Sequence, residues 1–235
     1  MALKGVRLWL PILLSATAGA VDAIGFLALG GLFTAHITGN LVVVAAHYAI
    51  GGFGQVGPLL AVPVFVAVLA ALALLYKTPS ADSPPQLKLL VLHAGLLSAC
   101  LGLGLQFGPF RNADSPMAVV VGMLAVTAMA TQNAMVKLVL VDTPSTAVMT
   151  TNTTQLLIDL VAIVQDRGDS TAIAKARQRA RVTFTCMAGF VCGCMAGAAL
   201  ESRIGIGALA LPVILATAAI PLGDTSMIES RYQMK

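Results

Sequence analysis

The sequence predicts an all-α, polytopic transmembrane helix bundle. Three observations carry that prediction. Of 235 residues, 58% are hydrophobic and only 10% are charged. Mean hydropathy is +0.90. The apolar residues also fall into long runs separated by short polar or Gly/Pro-rich breaks. A soluble domain carries about 25% charged residues, so too few charges are present here to cover a water-facing surface. An ordinary soluble domain, a disordered chain and a nucleic-acid binder are therefore excluded. At roughly 20 residues per crossing, the chain is filled by its spans and leaves no room for a large extramembrane domain.

Eight apolar segments follow one another: 9–30, 34–50, 58–76, 88–107, 117–141, 145–165, 182–200 and 205–222. The first begins like a secretory signal, but its apolar run continues to Gly30 and more spans follow, so it reads as an uncleaved helix. The second and sixth are polar for spans, carrying His36, Thr38 and Asn40, and Thr150 to Gln155. Hydropathy is weak where helices face each other, so the expectation is about eight spans, with six or seven open. With a cytoplasmic N-terminus, eight spans place ten Lys and Arg inside and four outside; Lys77 and Lys88 are discordant. The segment 166–181, DRGDSTAIAKARQRAR, reads as a cytoplasmic basic loop. Both termini in the cytoplasm follow from that orientation.

The chain also resembles itself. AGAVDAIGFLAL at 18–29 is similar to MATQNAMVKLVL at 129–140, pairing Asp22 with Asn133. HITGNLVVVA at 36–45 is similar to TNTTQLLIDL at 151–160, pairing Asn40 with Gln155. The expected units are 9–107 and 117–222. Four spans per unit would make the repeats parallel, related by an axis along the membrane normal.

These two motif pairs also resemble the YoaK-like family of small bacterial and fungal integral membrane proteins, a domain of unknown function. The resemblance runs from about residue 10 to about 220 and rests on Asp22-Ala23, Thr38-Gly39-Asn40, Gln132-Asn133-Ala134 and the Thr-rich stretch from Thr150. It departs at Thr154, where a glycine is expected, and at Lys137, where an arginine is expected. The resemblance implies a multispanning inner- or plasma-membrane protein. It brings no substrate or mechanism.

Asp22 is the sharpest single feature. A carboxylate at mid-span costs about 2.5–3.5 kcal/mol on insertion scales, so it must face protein or a water cavity. Asn133 and its neighbour Gln132 stand at the equivalent place in the second half. Lys137, one turn further, either snorkels to the headgroups or pairs with Asp22. His36 and Asn40 form one helical stripe; Thr151, Gln155 and Asp159 form the matching one. Polar faces in lipid need partners, so four such helices should converge on a cavity. Substrate-binding or proton-coupling candidates are therefore Asp22, His36, Thr38, Asn40, Gln132, Asn133, Lys137, Thr151, Gln155 and Asp159.

Gly189, Gly193 and Gly197 recur every fourth residue, the pattern of a helix-packing face, toward a neighbour in the same chain or a second copy. Cys186, Cys192, Cys194 and Met195 crowd the same span, but Cys192 and Cys194 point apart on a helix, so no metal site is expected. No cofactor motif and no HExxH, GxSxG or phosphate loop is found. The function expected is a non-enzymatic transporter or permease for a small solute, proton-coupled through Asp22. The alternative is a non-transporting membrane scaffold or partner subunit. The partners expected are the lipid bilayer, that solute and, as an open option, a second copy of the chain.

Overall fold

The computed structural model describes residues 2–50, 56–76, 85–140, 143–165 and 169–223. Every element among them is helical. They are α1 (Ala2–Ala28), α2 (Ile37–Ala49), α3 (Val56–Leu75), α4 (Pro85–Phe107), α5 (Pro116–Leu138), α6 (Met149–Gln165), α7 (Ser170–Ile204) and, after a 3-10 turn at Gly205–Leu209, α8 (Ala210–Gly223). Each of the eight apolar segments holds one helix. Breakers set the ends: Gly30 and Gly31, at φ 67° and 82°, close α1, and Gly205, at φ 57°, closes α7. Pro116 opens α5, at a position where its missing N–H costs nothing.

Length separates these helices into two kinds. Five stretches are long and apolar enough to cross a membrane, and the last of them runs through the Gly205 turn over both α7 and α8. α2, with 13 residues, extends only about 20 Å, short of a hydrocarbon core of about 30 Å. α6, with 17 residues, extends about 25 Å.

Contacts fix the directions. Gly189, Gly193 and Gly197 of α7 meet Ile12, Ala16 and Ala20 of α1 in ascending order, so these helices are parallel. Gln132 of α5 bonds the carbonyl of Leu14, while Gly122 of α5 lies against Leu29 and Leu32 at the far end of α1, so α1 and α5 are antiparallel. His93 on Ala128 and Cys100 on Val121 set α4 antiparallel to α5. Gly104 on Ile206 and Gly223 on Leu90 set α8 antiparallel to α4. The N-terminus of α3 lies beside that of α5, where the Val56 N–H donates to Asp114 (2.7 Å).

Two sequence expectations are corrected here. The parallel relation between the halves does not hold, because α1 and α5 run in opposite directions. Four crossings before α5 would have kept them parallel; α2, too short to cross, leaves three. The expected basic loop 166–181 is helical from Ser170 onward and continuous with the seventh span, since nothing between Ser170 and Ile204 interrupts the helix. Residues 166–168 lie outside the described residues.

The main packing pairs are α1 with α7 and α8, α5 with α3 and α4, α2 with α3, α6 with α7, and α4 with α8. At the α1–α7 seam the backbones touch. A Cβ on Gly19 would stand 2.2 Å from the Phe190 oxygen, and one on Gly193 2.1 Å from the Ala16 oxygen. The glycine face is thus covered by α1 of the same chain.

Candidate functional site

Between α1 and α2 the chain turns back into the bundle. Gly25 has no side chain, and the returning Leu32 oxygen and Thr34 methyl occupy that space, 2.9 and 3.2 Å from where a Cβ would sit. Leu32 then drops beside Gly122. A backbone segment lying against a span has N–H groups that lipid cannot satisfy. Asp22 satisfies them. Its Oδ1 accepts from the Thr34 N–H (2.8 Å), the Thr34 hydroxyl (2.8 Å) and the Ala35 N–H (2.6 Å). Its Oδ2 meets Nδ1 of His36 at 2.5 Å. α2 begins at the next residue, so the carboxylate stands off the positive end of that helix. Asn40, one turn into α2, holds the segment from the other side, accepting from the Phe33 N–H (2.9 Å) and donating to the Phe33 carbonyl (2.7 Å).

The connection before α6 is built the same way with different chemistry. Nε2 of Gln132 donates to the Thr146 hydroxyl and to the Leu14 carbonyl, both at 2.9 Å. Asn152 donates to the Ser145 carbonyl at 2.6 Å. Gln132 thus meets Thr146 as Asp22 meets Thr34, and Asn152 bonds a carbonyl seven residues upstream as Asn40 does. The sequence reading had paired Asn133 and Gln155 with Asp22 and Asn40. Asn133 is half-buried and bonds the Met129 carbonyl of its own helix (2.9 Å).

Gln155 belongs to a second cluster. It donates to Asp159 Oδ1 (3.0 Å), and Arg179 of α7 grips both Asp159 oxygens, with Nε at 2.8 Å from Oδ2. Asp159 is 1% exposed and Arg179 53%. Thr38, Thr151 and Lys137 are exposed. Among the described residues the ion pairs are Asp22–His36 and Asp159–Arg179, so Lys137 does not reach Asp22. Asp22, His36 and Asn40 thus form one cluster and Gln155 and Asp159 another, Gln132 holds the connection before α6, Asn133 bonds its own helix, and Thr38, Thr151 and Lys137 are at the surface. The ten candidates do not converge on one cavity.

What Asp22 and His36 do share is a cleft of about 430 Å³ between α1, the returning segment and α7. Its walls are Ala23, Phe26 and Leu27 of α1, Phe33, and Phe190, Cys194 and Ala198 of α7. The rings of Phe26 and Phe33 lie 5.0 Å apart, and His36 meets Phe190 edge-on at 5.4 Å. The aromatic walls went unremarked in the sequence because Phe190 is distant in the chain.

Two further buried features were also missed. His93 is fully buried with Nδ1 on the Ala128 carbonyl (2.9 Å) and Nε2 without a partner. Thr183 carries a buried hydroxyl without a partner. The signal for His93 was simply a histidine in an apolar run. Among the described residues no group of three or more His, Cys, Asp or Glu side chains gathers as a metal site.

No curated protein and no solved structure matches the chain. The profile of one family, described as a protein of unknown function (DUF1275), matches residues 10–222. That span contains both returning segments, both ion pairs and the cleft, and the chain belongs to this family.

Proposed function

We propose that the protein is a small permease of the cell membrane that moves a small solute by a proton-coupled route through Asp22 and His36, and that it is not an enzyme. The observation that carries this reading is the carboxylate–imidazole pair at the base of a cleft whose walls come from α1 in the first half and α7 in the second. A titratable pair set between the close-packed α1–α7 seam and the returning segment that carries His36 is a device by which proton loading can be tied to access.

The packing supports two related units in opposite orientation. Exchanging α1–α4 for α5–α8 carries the α1–α7 contact onto α5–α3, α1–α8 onto α5–α4, and α2–α3 onto α6–α7, while α4–α8 maps onto itself. Together with antiparallel α1 and α5, this is the pattern of an inverted repeat, with three crossings per unit and one short returning helix. The charges support the same topology. Drawn on the sequence, three crossings per unit put Lys4, Arg7, Lys77, Lys88, Lys137, Arg167, Lys175, Arg177, Arg179, Arg181, Arg231 and Lys235 in segments on the side of the N-terminus. Only Arg111 and Arg203 fall on the other side. Lys77 and Lys88 cease to be discordant, and the basic side is read as cytoplasmic with both termini.

A scaffold role is the second reading. It is favoured by the three donors on Asp22 Oδ1, a bonding pattern that also suits a purely structural staple. Reconstitution separates the two. Vesicles holding wild-type protein and a pH dye are screened against a solute panel for coupled proton movement. Wild type is expected to move protons with a solute, and folded Asp22→Asn to lose the coupling. Normal coupled transport by folded Asp22→Asn removes the proton role. Absence of any flux leaves the scaffold.

A further inference from the structure

We propose that the cleft beside His36 takes a lipophilic organic monocation, in exchange for the proton held between His36 and Asp22. This deepens the transport reading by naming a substrate class for the same site. The argument starts from the two oxygens of Asp22. Oδ1 already accepts three hydrogen bonds, so it has no capacity for a ligand. Oδ2 has one partner, Nδ1 of His36. A ligand that reaches the carboxylate must therefore take the place of that imidazole.

His36 can yield. Its side chain is 36% exposed against 5% for Asp22, and it lies in the returning segment, not in a span. Three titratable groups face the cleft: Asp22 on α1, His36 on the segment and Cys194 on α7. Among the described residues no other charged side chain lines it. With a proton on the imidazole the pair is neutral. Without it, one carboxylate charge remains against apolar walls, a state that demands a cation. Proton and cation thus satisfy the same charge, and one replaces the other.

The walls choose the kind of cation. A hydrated metal ion would surrender its water to phenyl and aliphatic carbon, which cannot replace it. An organic cation keeps its charge on a carbon body that the walls can cover, and the faces of Phe26, Phe33 and Phe190 attract it. An anion of the same shape meets only repulsion. In the exchange no covalent bond to carbon changes. The proton leaves His36 for solvent as the cation arrives.

The test uses the full-length protein in detergent with tetraphenylphosphonium, and tetraphenylborate as an anion of the same shape. Expected are saturable cation binding, about one proton released per cation in weak buffer, and affinity falling by up to about tenfold per pH unit on the acid side. Tetraphenylborate should not saturate the site. His36→Gln should bind the cation without proton release or pH dependence. Phe190→Ala should weaken binding by roughly tenfold. Saturable tetraphenylborate binding competing with the cation overturns the proposal. So does cation binding by the wild-type protein without proton release, or unchanged affinity in folded Asp22→Asn. If that variant does not fold, the His36→Gln pH profile decides alone. Failure here beside Asp22-dependent proton flux removes only the substrate class. Cation binding without flux removes the permease and leaves the site.

Discussion

Asn40 and Asn152 make the same hydrogen bond, each donating its side-chain amide to a backbone carbonyl seven residues upstream. In both places the chain has just left a span and must turn back beside it. An amide side chain carries both donor and acceptor, so it can stand in for the missing backbone partner. In the first half it meets both groups of Phe33.

Replacing either amide should therefore destabilise the bundle. Asn40→Ala leaves the part-buried N–H and C=O of Phe33 unpaired and is expected to cost about 1–3 kcal/mol; Asn152→Ala, with one such bond, about 1–2 kcal/mol. The two sites share no partner, so the costs should add. Thermal unfolding in detergent measures both, and an Asn40→Ala protein with unchanged Tm contradicts the account.

The α1–α7 seam tolerates no added carbon. Gly193→Ala places a Cβ against the Ala16 backbone, which cannot move aside as a flexible side chain can. The expected loss is at least about 1–3 kcal/mol, the range for overpacking. Gly207→Ala is the control, because its nearest neighbour is a leucine methyl at 3.6 Å. Equal Tm values for the two variants would remove the seam from the argument.

Arg179 holds a carboxylate that is almost fully enclosed. Arg179→Ala should cost about 1–3 kcal/mol, less than a fully buried pair because the guanidinium is half in solvent. Adding Asp159→Asn removes the stranded charge and should recover most of that loss. A double variant no more stable than Arg179→Ala alone would show that the charge is satisfied elsewhere.

Topology is open to a direct chemical measurement. In a cysteine-free background, Lys137→Cys and Arg111→Cys are offered to a membrane-impermeant maleimide in sealed vesicles. The inverted arrangement expects them to label from opposite faces, Lys137→Cys from the face of the N-terminus. With all eight helices crossing, Arg111→Cys would label from the N-terminal face.

Much of this was legible in the chain. Each of the eight apolar runs holds a helix, although α7 begins at Ser170, ahead of its run from 182. Asp22 stood out because an acid in such a run needs an explanation. The direction of α5 did not, since a 13-residue apolar helix and a full crossing look alike on hydropathy. Lys77 and Lys88 were the available clue, being misplaced only when eight spans are drawn. Asn152 was hidden behind Gln155, although Thr34-Ala35-x-x-Thr38-x-Asn40 and Thr146-Ala147-x-x-Thr150-x-Asn152 share one spacing. His36 joins Asp22 only because the segment folds back, which depends on the space above Gly25.

The contact between Gly19 and Phe190 also limits how the cleft can change. Two of its walls belong to helices joined backbone to backbone, so they travel as a single piece and cannot swing apart. The third wall is the stretch carrying Phe33 and His36, tethered through Gly30 and Gly31, whose left-handed torsions suit a pivot. Any opening or shutting of this pocket falls to those few residues, a gate of one short strap and not a rocking of the whole bundle.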